Sequence, residues 1–204
     1  MSRAFPLCVR HRLCLDLGRR LAQDLAAMYV DTLKLVSTLG ARRPAVALPS
    51  RLDQLFQNLV VPDCDADEVE EQIWRLWMHH PHRRAAVALE RTATEIATQL
   101  YDIAETRLNN LLRACPDFAE AWNKRATLYY LQERDEESVR DIHRTLELEP
   151  RHFGALCGLA EIFRTSGDTE SALFVFQAAL RVNPHLSVAR NAIEELLAVS
   201  RNLQ

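Results

Sequence analysis

The sequence predicts an all-α protein whose larger part is a stack of repeated helix pairs. The 204 residues include only five glycines and eight prolines, too few for the many turns of an all-β fold. From Pro81 to the C-terminus, no segment alternates between apolar and polar residues with the period of two that marks a half-buried strand. In addition, Pro116, Pro150 and Pro184 recur every 34 residues, a period typical of stacked helical repeats.

The composition supports a packed core, but the charge is unevenly distributed. The chain is 48% hydrophobic and 26% charged, which excludes wholesale disorder. No uncharged apolar run is long enough for a membrane-spanning helix. Residues 1–51 contain nine basic and three acidic residues, whereas the remainder contains 16 basic and 25 acidic ones. The sequence therefore predicts a basic N-terminal arm on an acidic body.

Residues 1–40 are predicted to form this arm. Apolar residues recur at three- and four-residue steps over 7–39, which favours one amphipathic helix interrupted only by Gly18 and ended by Gly40. The first twenty residues hold five arginines and one aspartate, the composition of a mitochondrial targeting segment. We therefore expect a mitochondrial protein. The alternative is a protein of the bacterial or eukaryotic cytoplasm whose mature fold includes a basic helical arm.

Two leading helices are predicted over 52–84, after a linker of small residues and prolines over 41–51. Ser50 can cap the first helix, and Asp65 or Asp67 can cap the second. Their apolar faces consist of Leu52, Leu55, Phe56, Leu59, Val69, Ile73, Leu76 and Trp77.

The repeat domain is predicted over 85–200. The units that follow Pro116 and Pro150 share large residues early in a first helix, small residues where two helices meet, and a closing proline. Their pattern resembles the tetratricopeptide repeat, most closely over 117–186 and more weakly over 85–116, where no aromatic residue opens the unit. The last helix resembles a terminal capping helix. The resemblance implies a right-handed tetratricopeptide-type array of helical hairpins, with about three repeats plus a capping helix and an N-terminal helical extension.

Packing is the role that the repeated residues are expected to have. One pair of helices cannot bury its apolar face alone, so neighbouring units must cover it. Gly167 is expected to end a first helix as a C-cap, and Ala104, Ser138 and Ala172 are small enough for the second helix of each pair to approach the first. The residues that we assign to repeat packing are Trp122, Ala126, Tyr129, Ile142, Pro150, Leu156, Ala160, Phe163, Ala172, Phe176 and Pro184.

A concave protein-binding groove is also implied by the resemblance. In that family the first helices of successive units line a groove that holds extended or helical peptides. Carried over by register, the groove residues are Glu120, Asn123, Lys124, Thr127, Tyr130, Gly154, Cys157, Gly158, Glu161 and Arg164. The small residues favour a floor that a partner helix can approach, and the two glutamates favour a basic partner. The basic arm is itself such a segment, so we expect it to dock in its own groove or in that of another copy.

The sequence predicts no catalytic residues, no cofactor and no metal site. The five cysteines include no CxxC pair and are expected to be buried apolar residues in a reducing compartment. The cluster of His79, His80 and His82 has no carboxylate or thiol at a ligand spacing. Nucleotide-binding, hydrolase and metalloprotease motifs are missing. An acidic repeat body also disfavours nucleic-acid binding.

We therefore expect a non-enzymatic protein–protein interaction scaffold. The predicted role is that of an accessory subunit of, or adaptor for, a larger assembly such as a respiratory-chain complex. Its partners would be other proteins, subunits of a multiprotein complex, that present a basic or helical segment. No small-molecule substrate is expected, and membrane association would occur only through the complex. A soluble peptide-binding adaptor or assembly factor is the alternative, and an RNA-associated helical-repeat protein or organellar ribosome component is a second one.

Overall fold

The computed structural model describes residues 23, 26–45, 50–61 and 64–202. These residues form helices and no strands, so the all-α prediction is confirmed. Residues 26–38 form α1, and a 3₁₀ turn follows at Leu39–Ala41. The later helices are α2 (Ser50–Asn58), α3 (Ala66–Met78), α4 (Arg83–Ala97), α5 (Tyr101–Ala114), α6 (Ala119–Leu131), α7 (Asp135–Leu148), α8 (Phe153–Thr165), α9 (Thr169–Val182) and α10 (Ser187–Asn202).

Three antiparallel helix pairs, α4–α5, α6–α7 and α8–α9, stack in order, and α10 closes the stack. The second helices start 34 residues apart, at Tyr101, Asp135 and Thr169. The prolines at 116, 150 and 184 lie in the turns between pairs, where a missing N–H costs no helical hydrogen bond. The predicted array of about three hairpins plus a capping helix is therefore confirmed.

The turn inside each pair places one residue in the left-handed backbone region. Gly167 has φ +83°, as expected of a glycine C-cap. The equivalent positions of the two earlier pairs are Gln99, with φ 61°, and Glu133, with φ 59°. All three pairs therefore use the same turn, although only the last has the residue that suits it.

Small residues let the two helices of each pair approach closely. Ala104, Ser138 and Ala172 are fully buried, and the Ser138 hydroxyl donates to the Ala126 carbonyl at 2.9 Å. Most residues assigned to repeat packing are buried, but Trp122 and Pro184 are not. Pro184 is exposed in the turn before α10, and Trp122 packs at the border of the core of the first pair. The half-buried indole of Trp122 instead donates to the Pro116 carbonyl at 2.9 Å.

Helix α1 packs against the second helices of the array, α7 and α9. The buried side chains of Leu35 and Val36 on α1, and of Leu39 in the turn after it, join the core around Phe163 and α9. Thr32 of α1 shares a 3.0 Å hydrogen bond with the His143 imidazole of α7. The described part of the arm therefore docks on the array of the same chain, but outside the groove lined by the first helices. For this part of the arm, the expectation that it fills the groove of the same chain is wrong. The apolar residues of α1 fit the surface left between two second helices. The rest of the arm, including Gly18, lies outside the described residues.

The α2–α3 hairpin lies along the edge of the array formed by the turns between pairs. Its core, which includes Leu52, Ile73 and Trp77, closes around Phe153 at the start of α8. Asp65 caps α3 by accepting from the Glu68 amide at 3.2 Å. The hairpin is held further by polar contacts to the turns, which are Arg151–Asp53 at 2.7 Å and Asn183–Glu70 at 3.0 Å. Within the described part of the chain, no helix is long and apolar enough to cross a membrane.

Candidate protein-binding site

The first helices α6 and α8, together with α10, enclose a channel of about 270 Å³. Seven of the ten residues predicted for the groove line it: Asn123, Thr127, Tyr130, Gly154, Cys157, Gly158 and Glu161. Ile142 and Phe176 from the second helices form part of its floor, and Val188 of α10 borders it. The structure therefore brings most of the predicted residues together in one concave surface.

The channel reaches close to the α8 backbone because small residues, Cys157 and Gly158, face it from that helix. A Cβ atom at Gly158 would lie 3.7 Å from the Ile142 Cδ1 atom and would meet nothing closer. Burial and the nearby carboxylates of Glu70 and Glu161 raise the pKa of the Cys157 thiol to about 12. This thiol stays protonated at neutral pH and contributes apolar surface rather than a nucleophile.

The rim of the channel carries one accessible acidic group. The Arg164 guanidinium donates to the Glu161 carboxylate one turn earlier on α8, and this hydrogen bond lowers the pKa of Glu161. Glu161 is therefore ionised at neutral pH, and Arg164 lies beside it on the exposed side of the helix, outside the channel lining.

Glu120 and Lys124 lie outside the channel, in a polar centre beneath it. The Glu120 side chain is 1% exposed, and its Oε2 lies 2.8 Å from Nε2 of the equally buried His152. The Nδ1 atom of His152 accepts from the Ala155 amide at 3.1 Å. A nitrogen that accepts carries no proton, so Nε2 bears the hydrogen and donates it to Glu120. Asn123 also donates to this carboxylate, at 3.1 Å.

The charge of Glu120 is retained despite its burial. Burial raises the pKa of this carboxyl, but the hydrogen bond from His152 and the charge of the Lys124 ammonium outweigh it, so the pKa lies below the ordinary value of 4.5. The Lys124 ammonium lies 3.1 Å from Oε1 and forms an ion pair with this carboxylate. Glu120 is thus neutralised internally and presents no charge to a ligand.

Helix α3 closes one end of the groove. The Trp74 ring lies against Gly154, where a Cβ atom would come within 2.5 Å of its Cη2 atom. The ammonium of Lys124 lies 5.6 Å from the centre of the same ring. Trp77 stacks on the His152 imidazole, with ring centres 4.1 Å apart and planes 11° from parallel. Sequence reasoning missed this contact, although two tryptophans on one helix and a histidine two residues after a repeat proline were the available signals.

The histidine cluster at the start of α4 shows no metal-binding arrangement. Burial lowers the pKa of His80, and the rings of His80 and His82 lie 5.4 Å apart. Among the described residues, no group of three or more His, Cys, Asp or Glu side chains is arranged to hold a metal ion.

Comparison with known proteins agrees with this architecture. A family model described as "Tetratricopeptide repeat" matches residues 94–142, which includes half of the first pair, where the resemblance in sequence is weaker. A TPR repeat-containing protein of the bacterium Rhizobium etli is 32% identical over 157 residues, an alignment that covers 74% of this chain and 76% of the relative. With the 34-residue helix pairs, the shared turns and the concave first-helix surface, these similarities show that the chain belongs to the tetratricopeptide repeat family.

Proposed function

We propose that the channel between α6, α8 and α10 binds a helical segment of another protein, and that the chain is an accessory subunit of, or adaptor for, a larger assembly. Tetratricopeptide repeats are protein-interaction scaffolds. The observation that carries the proposal is the glycine and cysteine floor of the channel, which leaves room for a partner helix to approach the α8 backbone.

The polar residues of the channel suit a basic or neutral segment. Thr127 and Tyr130 offer hydroxyl groups, and Glu161 offers the accessible carboxylate. Because Glu120 is neutralised below the surface and Glu161 is paired with Arg164, the preference for a basic partner depends mainly on the acidic body rather than on two groove glutamates.

Additional contact area is needed beyond this channel. A stable interface buries about 1,600 Å² in total, and a channel of about 270 Å³ supplies only part of it. A partner held permanently would therefore also contact surfaces outside the groove, as a subunit of a large complex does.

Site-specific photo-crosslinking tests the location of the binding surface. A photoreactive amino acid at Thr127, on the channel wall, is expected to crosslink to a partner in cells that contain the native protein. The same amino acid at Arg140, exposed on α7 and outside the channel lining, is the control. Equal crosslinking from both positions would contradict the proposal.

The substitution Gly158→Met separates binding from folding. The Cβ atom of the new side chain has ordinary contacts, and replacing a mid-helix glycine favours the helix by about 0.5–1 kcal/mol. We expect unchanged or higher thermal stability together with loss of the crosslinked partner. Gly40→Met, at a position with nothing within 4 Å, is the matched control and should keep the partner. Retention of the partner by Gly158→Met would rule out the channel as the binding site.

Two cellular locations are proposed for the protein, the mitochondrion and, as the alternative, the bacterial cytoplasm. The arginine-rich first twenty residues support a mitochondrial protein, whereas the bacterial origin of the Rhizobium etli relative supports the bacterial cytoplasm. The native size of the protein in a gentle detergent extract tests both assembly and location. Co-migration with a fixed set of respiratory-chain or other organellar subunits supports the accessory-subunit role, and migration at 23.3 kDa contradicts it.

A further inference from the structure

The first helix pair has a side that no described element covers. Helix α6 packs on α5 through the side that carries Glu105 and Asn109, which bond to Arg134 and Arg125 at 2.8 Å each. Ile103, Asn110 and Ala114 lie on the opposite side of α5 and line a groove between α4 and α5. We call this surface the end face. The preceding α2–α3 hairpin does not stack there, because it packs along the turns that lead into α8 and α10.

The floor of the end face is apolar. A groove of about 790 Å³ runs between the start of α4 and the end of α5, and its floor is formed by Ala85, Ala88, Ile103, Leu111 and Ala114. A second depression of about 580 Å³ continues along α4 past Val87. Ile103 is 50% exposed and adjoins the apolar floor, so the end face presents apolar surface of the kind that marks interaction sites.

Three arginines along the rim have no acidic partner. Arg83, Arg84 and Arg91 are exposed on α4, and among the described residues no carboxylate lies within ion-pair distance of them. Most other arginines of the array are paired, as in the contacts of Arg125 with Asp141 at 2.6 Å and of Arg107 with Glu95 at 2.9 Å. In a body that is acidic overall, these positive groups are a local exception.

The spacing of the arginines matches a helix as ligand. Arg84 and Arg91 are seven residues apart on α4, which is two turns or about 10 Å. Carboxylates seven residues apart on an antiparallel or parallel partner helix would face both guanidinium groups while its apolar stripe filled the floor. Asp102, the acidic residue of the groove lining, lies at the opposite end from Arg84 because α4 and α5 are antiparallel.

We propose that the end face binds an acidic amphipathic helix of a partner protein. The basic N-terminal arm of this chain is repelled by the same arginines, so it is not the occupant. The groove lining contains no phenylalanine, tyrosine or tryptophan ring, the side chains on which nucleic-acid bases stack most favourably, which disfavours single-stranded RNA. This surface is separate from the channel of α6, α8 and α10, so the chain has two binding surfaces of opposite charge preference and can connect two partners.

A designed peptide provides a direct test with the full chain. The probe is a fluorescein-labelled 18-residue helix in which glutamates flank a leucine stripe, and fluorescence anisotropy measures its binding. We expect the affinity to fall by about tenfold or more when all glutamates are replaced by glutamine, and to fall with added salt. The variant Arg84→Glu with Arg91→Glu should show the same loss for the glutamate peptide, and Arg84→Gln with Arg91→Gln replaces it if the first variant fails to fold.

The control variant Arg140→Glu with Arg181→Glu carries the same charge change on exposed positions of α7 and α9 and should bind the glutamate peptide normally. A peptide with lysine for glutamate should bind the Arg84→Glu and Arg91→Glu variant better than the native chain. Equal binding of glutamate and glutamine peptides would overturn the proposal, as would displacement of the peptide by a short single-stranded RNA. Self-association that the same variants abolish, without peptide binding, would assign the end face to a second copy instead. Crosslinking from Thr127 tests the other surface independently.

Discussion

At the scale of single residues, the buried contact between Glu120 and His152 is central to how this array is held together. It joins the start of α6 to the turn before α8, and the stacked Trp77 ring extends it to α3. Three elements that are distant in sequence therefore meet at one hydrogen bond between fully buried groups.

Removing the imidazole should destabilise the whole protein. In His152→Ala, the buried Glu120 carboxylate would lose its hydrogen bond from the imidazole and keep only Asn123 and Lys124 as partners, and losing a hydrogen bond to a buried charged group costs about 1.5–3 kcal/mol. Urea unfolding measures the loss. His143→Ala is the control, because His143 is half-buried and makes one hydrogen bond to α1, so its loss should be about 1 kcal/mol or less. Similar losses from both variants would contradict the central role of the Glu120 contact.

The same contact predicts a dependence of stability on pH. The pKa of Glu120 is lower in the folded chain than its ordinary value of 4.5. A carboxyl of this kind stabilises the fold fully above the ordinary value, and its contribution is lost as the pH falls through the folded pKa. As the pH falls from about 6 to about 3.5, Glu120→Gln should therefore lose less stability than the native chain. Parallel pH profiles in urea unfolding would show that Glu120 does not contribute.

At the scale of elements, the turns inside the three helix pairs share one backbone geometry but differ in the residue at the left-handed position. Gln99 and Glu133 hold left-handed backbone conformations that Gly167 holds without steric cost. Residues with a Cβ atom in this region are strained, and glycine relieves that strain.

Glycine at the two earlier turns should stabilise the array. We expect Gln99→Gly and Glu133→Gly each to raise the unfolding free energy by about 0.5–1 kcal/mol, measured by thermal unfolding. Gln132→Gly is the matched control, because its φ of −96° suits any residue and glycine there should lower stability. A decrease in all three variants would mean that the turns are not strained.

The helix pairs could be predicted from sequence because their signals are local and repeated. Prolines at a fixed period, small residues at helix contacts and Gly167 all act within one pair or between neighbours. Register alone therefore located seven of the groove residues. The same register wrongly assigned Glu120 to the groove. Register shows which side of a helix a residue lies on, but it does not show that another element, here α3 and the turn before α8, covers that residue.

At the scale of the whole molecule, the positions of α1 and α2–α3 could not be predicted. Their apolar stripes show that one side of each helix is buried, but an apolar stripe can pack against many different apolar surfaces. The position of α1 depends on particular contacts, such as Tyr29 against Phe163 of α8 at 5.7 Å and Thr32 with His143 of α7.

Docking of α1 can be tested with two neighbouring positions. Val36 is 3% exposed, whereas Ser37 is exposed. Val36→Asp would bury a charge against α9 and should lower the unfolding free energy by about 3 kcal/mol or more. Ser37→Asp introduces the same group one residue later and should change it by less than about 0.5 kcal/mol. Two equally small effects would mean that α1 is not packed on the array.

The long-range contacts of the N-terminal helices also have a consequence during synthesis of the chain. Thr32, Glu70 and Leu59 pair with His143, Asn183 and His185, which lie 111, 113 and 126 residues later. At ribosomal speeds these partners emerge about 5–25 seconds afterwards. The pairs α4–α5 and α6–α7 depend on near neighbours and can form first. The apolar faces of the N-terminal helices therefore stay exposed until these partners have been synthesised. A nascent chain released before residue 183 would lack the hydrogen bond from Asn183 to Glu70 of α3.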